Sequence, residues 1–336
     1  MKQRNCLLDI FKLLLSFFVV FIHTGLLSYV SYGIFIKDIV FRIAVPFFFV
    51  CSCYYFSKNE NKSKKYFKKL IIPYVILSPI YTLVSKFLFN YNFSFIKSEF
   101  VRFIFGCPQN IMWYSGTLFL TLVILKKIKL KKVLISSILI SLILYVIGLS
   151  FTTYNWILML HYPKLSSFFS KIFLSNRNIL FVGFLFTSIG YYMGKYLKNT
   201  KNTQKQIVAL IISFIFLVLE VCIVKSHIDL VIEHDFYFSH IVLIPTLFLI
   251  ISNISINLKF DTRIFRDLSS FVYYFHFLII YLFIYLFIYL NDYKNIKSEF
   301  FQGMHYLKFS FAVLLFTLAI GILLLGVRKR RLKCKQ

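Results

Sequence analysis

The sequence predicts an all-α protein, a polytopic transmembrane helical bundle of about ten helices with the N-terminus and C-terminus cytoplasmic. Three observations lead there. Hydrophobic residues make up 59% of the 336 and aromatics 20%, with a mean hydropathy of +0.78, more apolar surface than a soluble domain can bury. These residues gather into runs of bilayer length. The net charge of +27 lies mostly between the runs, so it reads as topology and no nucleic-acid partner is expected.

Ten apolar segments run at about 7–28, 39–57, 70–89, 112–126, 133–150, 178–197, 207–224, 239–257, 270–290 and 308–327. Starting from the N-terminus, alternate connections hold two, six, five, four, three and six Lys or Arg, and the intervening ones hold one, three, three, one and three. That bias places the richer set in the cytoplasm. The first run is too long and too polar for a cleavable signal peptide. No linker or internal repeat divides residues 1–336, which read as a single integral membrane domain. The longest connections, 90–111 and 151–177, fall outside the cytoplasm, and loops of that length often carry function. The six cysteines show no metal-ligand spacing, and no metal is expected. Cys51 and Cys53 read as packing residues.

The first segment, RNCLLDIFKLLLSFFVVFIH, carries Asp9, Lys12, Ser16 and His23 along one helical stripe. Asp or Lys at a helix centre costs roughly 3 kcal/mol in lipid unless it faces protein or water. Lys12 and His23 are three turns apart, about 16 Å along the axis. Two readings stay open. Asp9 and Lys12 form an interfacial ion pair while His23 is a core histidine, or the stripe is a site and His23 its general base.

In the second segment, FRIAVPFFFVCSCYYF, Arg42 either snorkels or points inward to hold a polar or anionic acceptor. Before the third, KKYFKKLIIPY places Lys64, Lys65, Lys68 and Lys69 where they serve as topology charge or as an anion site for a donor's phosphates. Pro46, Pro73 and Pro245 mark places where a helix can bend. Ahead of the sixth segment stand His161 and the Arg177–Asn178 pair, and within it Gly190 and Gly194 read as a close-packing face. Glu220 in the seventh is either a partner of Lys225 or a site acid. His276 in the ninth, placed in its cytoplasmic half, reads as a core histidine or a ligand. No GxSxG, HExxH, P-loop or paired-carboxylate motif supports a hydrolase, zinc-protease or NTPase reading.

Taken in order, these pieces resemble the acyltransferase-3 family of integral membrane acyltransferases. D-I-F-K, ten residues and His23 look like its acid, base, gap and histidine, with Lys12 where arginine is common. The Arg42 stretch resembles its second-helix pattern, with Ser52–Cys53 in place of Ser-Gly, and KKYFKKLIIPY is similar to its basic turn. MWYSGTLF, RNILFVGFLFTSIGYYMG and SSFVYYFHF look like its fourth-, sixth- and ninth-helix signatures. The Arg177–Asn178 stretch and His23–Thr24 also resemble the membrane domain of vancomycin-resistance serine racemases.

The resemblance implies a membrane-bound O-acyltransferase, chiefly an O-acetyltransferase, in the bacterial plasma membrane. It would move an acyl group from cytoplasmic acyl-CoA, often acetyl-CoA, to a hydroxyl of a cell-envelope glycan or other exported compound. On that scheme Lys65, Lys68 and Lys69 bind donor phosphates, Lys12 guides the thioester arm with Asp9 holding it, and His23 is the base or an acylated relay. Arg42, Glu220 and Arg177 position the acceptor. The alternatives are a secondary transporter of an amino acid or glycan precursor, and a non-catalytic membrane module partnering a soluble enzyme.

Overall fold

The computed structural model describes residues 5–27, 32–172, 176–197, 203–227, 234–254, 256, 261–290 and 304–333. Arg4 and Cys334 lie outside them. Every regular element among the described residues is helical. In chain order these are α1 (Cys6–Thr24), α2 (Gly33–Ile36), a π turn (Lys37–Phe41), α3 (Ala44–Ser57), a 3₁₀ turn (Glu60–Lys62), α4 (Ser63–Phe89), α5 (Phe93–Ile104) and α6 (Trp113–Lys127). There follow α7 (Lys131–Ser150), α8 (Asn155–His161), α9 (Pro163–Ile172), a second π turn (Ile179–Gly183), α10 (Phe184–Tyr196), α11 (Thr203–Ser226), α12 (His240–Asn253), α13 (Arg263–Leu290) and α14 (Met304–Lys333).

Among the described residues, seven helical stretches are long and apolar enough to cross a membrane: Cys6–Thr24, Lys37–Ser57, Glu60–Phe89, Lys131–Ser150, Thr203–Ser226, Arg263–Leu286 and Tyr306–Val327. The other three expected segments are helical but shorter, such as the 14-residue α12. Large apolar side chains point outward along these helices, as on α11, where Ile212 is 60% and Phe216 58% exposed. A surface of that kind is matched to lipid.

Helix boundaries depart from the sequence reading for identifiable reasons. Lysine is a good helix former, so the basic turn is helical and α4 begins at Ser63. Pro73 then lies deep inside α4 together with Pro79, while Pro46 falls in the first turn of α3, where its missing N–H is tolerated. The long connections are not irregular. Asn92 caps α5 by accepting from the Phe95 amide, and α8 and α9 fill most of 155–172.

The chain divides into two compact units. The first comprises Met1–Ala44, Leu83–Asn90 and Ile254–Gln336, the second Val45–Thr82 and Tyr91–Asn253. In the first, α1 runs parallel to α13 and antiparallel to α14. Val20, Val272, Ile279, Ile280, Val313 and Leu314 form the buried apolar cluster where the three meet. Thr24 donates to Ser310 at 2.7 Å, a buried hydroxyl pair that fixes α1 against α14.

In the second unit small residues let helices approach closely. A Cβ on Gly190 would meet the Val50 carbonyl oxygen at 2.3 Å, and one on Gly194 the Tyr54 carbonyl oxygen at 2.4 Å. The Gly190–Gly194 face is therefore where α10 packs on α3, as the spacing predicts. α11 and α12 form an antiparallel pair, joined at one end by Asn253 and Gln206 at 3.4 Å and at the other by Glu220.

Candidate active site

The polar stripe of α1 is laid along α13. Asn5 caps α1 by accepting from the Leu8 amide at 2.9 Å, and Gly25 ends it with φ 72°, a left-handed conformation that glycine adopts without strain. His23 consequently sits in the last turn. Asp9 is 6% exposed and accepts a hydrogen bond from Thr262 at 3.0 Å. Ser269 donates to the backbone carbonyl of Lys12 at 3.0 Å, and the Lys12 side chain is half-buried. The His23 ring lies 5.5 Å from that of His276 and meets Phe277 edge-on at 5.1 Å. One side of α1 thus lies along Thr262 and α13, with Asp9 held by Thr262, the Lys12 carbonyl by Ser269, and the His23 ring beside His276.

His276 has a neighbour that the sequence does not announce. α13 starts at Arg263 rather than 270, so His276 lies at mid-helix, beside His23. It is fully buried, and its Nδ1 lies 2.7 Å from the Val272 carbonyl oxygen. A lone histidine in an apolar run carries no signal of its partner.

Arg42 follows the first π turn, at the last residue of which Phe41 stacks against Phe18 of α1 at 5.0 Å. Its guanidinium pairs with Asp38 at 3.6 Å, and Asp38 is 3% exposed. The arginine is thus paired with a buried acid one π turn earlier. Asp38 is a neighbour that sequence reading passed over.

In the second unit, Lys65, Lys68 and Lys69 lie exposed on the first turns of α4. Lys126 of α6 joins this basic end by donating to Ser63 at 2.7 Å. Glu220 and Arg177 converge on one short segment. The Glu220 carboxylate accepts from the amides of Phe238 and Ser239, both at 2.9 Å, and from the Tyr154 hydroxyl. Burial, reinforced by the Glu220 charge, pushes the Tyr154 phenol well above its ordinary range, so it stays a donor. Arg177 pairs with Asp235, which is 4% exposed, while Asn178 caps the second π turn through the amides of Leu180 and Phe181. Glu220 and Arg177 therefore hold the 235–239 turn at the start of α12.

The family model described as an acyltransferase domain of the acyltransferase-3 type matches residues 7–327, nearly the whole chain. The chain belongs to the acyltransferase-3 family. Its members are membrane acyltransferases, and the outward-facing apolar helices fit that assignment to a multi-pass membrane protein. A distant relative, named as an amino-acid racemase from Enterococcus faecalis, is 26% identical over 300 residues. That match takes in 83% of this chain but only 42% of the racemase. No solved structure matches the chain.

Proposed function

We propose that this acyltransferase-3 protein is an O-acyltransferase that moves an acetyl group from cytoplasmic acetyl-CoA to a hydroxyl of a cell-envelope glycan or related exported compound. The setting would be a bacterial plasma membrane, with both termini cytoplasmic. The observation that carries the reading is the His23 imidazole, exposed in the last turn of α1 beside His276 of α13, on a stripe whose Asp9 is held by Thr262 and whose Lys12 carbonyl accepts from Ser269. An exposed imidazole beside apolar and aromatic walls can take a proton without losing access to substrate, and the carbonyl end of α1 stabilises positive charge that develops there.

The reaction balances on that residue. His23 removes the proton of the acceptor hydroxyl as its oxygen attacks the thioester carbonyl. The new C–O bond forms, the tetrahedral intermediate expels the thiolate as the C–S bond breaks, and the thiolate recovers the proton from His23. Lys12 guides the thioester arm, Asp9 anchors its end of α1 to Thr262, and Lys65, Lys68 and Lys69 neutralise donor phosphates as mobile point charges. Arg42, held by Asp38, orients the acceptor. Arg177 and Glu220 contribute by fixing the 235–239 turn. No metal has a role in this scheme.

The test is transfer of radiolabelled acetyl from acetyl-CoA to envelope material in membranes carrying the protein. Transfer by wild type and its loss in His23→Ala, at equal expression, is the expected result. A second reading is favoured by the racemase relative, whose length is more than twice the matched part: a membrane module working with a separate soluble enzyme. That reading predicts no acyl transfer and a required partner chain.

A further inference from the structure

We propose that His276 is a positioning residue for His23, accepting a hydrogen bond from one of its ring N–H groups so that the other ring nitrogen is the lone pair presented to the acceptor hydroxyl. The inference rests on the acyltransferase reading for its catalytic consequence, though the pairing itself does not.

Three observations carry it. The two rings lie 5.5 Å apart at a 35° tilt, a separation across which nitrogen atoms of neighbouring imidazoles can meet edge to edge. His276 Nδ1 is 2.7 Å from the carbonyl oxygen of Val272 and 3.2 Å from that of Tyr273. A carbonyl only accepts, so Nδ1 bears the hydrogen and Nε2 of the neutral ring is left as an acceptor. That Nε2 is buried and has no hydrogen-bond partner among the described atoms. Buried polar atoms nearly always find a partner, and one left waiting beside a second imidazole calls for a donor. His23 is the ring next to it, exposed and in the last turn of its helix, and it is the donor assigned here.

The surroundings restrict the choice of donor. His276 is fully buried. Phe277 lies edge-on to both rings, at 5.1 Å to His23 and 5.9 Å to His276, and offers no polar group. The α1–α13 register that sets the two rings opposite each other is held elsewhere, by Asp9 with Thr262 and Lys12 with Ser269. A histidine base whose second nitrogen is held by a fixed acceptor presents one tautomer, so the geometry for proton removal is set before the acceptor arrives. During the reaction His23 becomes the imidazolium, its second N–H still donated to His276, which stays neutral throughout.

The test is ¹⁵N NMR of the histidine-labelled full-length protein in lipid nanodiscs, with the His23 signal assigned by its loss in His23→Asn. Wild type is expected to show His23 in a single tautomer and His276→Phe a mixture. His276→Gln places an amide oxygen where Nε2 stood and is expected to restore the single tautomer. His276→Asn, of nearly the same polarity but reaching only the Nδ1 position, is not. In acetyl transfer, His276→Phe and His276→Asn are expected to lower kcat about 100-fold with KM little changed, and His276→Gln to recover at least about a tenth of the wild-type rate.

The Gln–Asn contrast stands even where the Phe variant fails to fold. Equal behaviour of Gln and Asn, or a His23 tautomer that is the same in all variants, overturns the proposal. Wild-type protein that transfers no acetyl but whose His23 tautomer shifts in His276→Asn retains the pairing and removes the acyltransferase reading instead.

Discussion

His23 is in the last turn of α1 because Gly25 ends the helix there, and its neighbours are Phe277 and His276 rather than lipid alone. Removing it should abolish transfer while leaving the helix intact, since its exposed side chain buries little. Glu220 is the opposite case. Three donors converge on its buried carboxylate, so Glu220→Ala should destabilise the protein by about 3 kcal/mol, seen as a lower midpoint in thermal unfolding in detergent. Glu220→Gln, which keeps the shape and one acceptor, should lose markedly less.

Glu99 in α5, 3% exposed, supplies a pH prediction. Burial raises its pKa above the ordinary value, opposed by the Gln109 amide and Arg102. The folded state therefore favours its neutral form. The stability it contributes is full below the ordinary carboxylate range and is lost as pH rises through the raised folded value. Thermal midpoints of wild type and Glu99→Gln measured from acid to neutral pH should show the dependence flattened in the variant.

Much at this scale was legible in the sequence, because Asp9, Lys12, His23 and Arg42 stand out against apolar surroundings. Their partners were not. Thr262, Asp38 and Asp235 become partners only through pairings set by folding, and His276 carried no mark distinguishing it from a core histidine.

At the scale of elements, every apolar run identified in the sequence corresponds to a helix, since hydropathy alone selects such runs. Helix ends were misjudged where polar residues are good helix formers, at Ser63 and Arg263, and where amphipathic helices occupy the long connections. Two π turns, Lys37–Phe41 and Ile179–Gly183, flank residues expected to contact the acceptor, Arg42 after the first and Arg177–Asn178 before the second. No hydropathy pattern announces a π turn, and such turns recur at functional sites. The α3–α10 contact gives an element-scale prediction. Gly190→Leu, whose Cβ alone would lie 2.3 Å from the Val50 carbonyl oxygen, should force α10 away and cost about 3 kcal/mol, measured as a lower unfolding midpoint. Gly326, where an added Cβ meets nothing within 4 Å, should accept the same change with little effect.

For the whole molecule, the proposed scheme puts both termini and the face richer in Lys and Arg on the cytoplasmic side, where that face would meet acyl-CoA. Charge removal there should raise the KM for the donor. Lys65, Lys68 and Lys69 are exposed point charges without the bidentate fork of arginine, so the triple change to Gln should raise it about 10-fold, with kcat retained and the effect fading at high salt. The central claim is that this membrane helix bundle transfers acyl groups through His23. It is tested most directly by following labelled acetyl from acetyl-CoA to envelope acceptor in vesicles containing the purified protein. Transfer by wild type, and none by His23→Ala at matched protein level, is the predicted result. Equal transfer by both, or a wild-type protein that transfers none, would contradict the account.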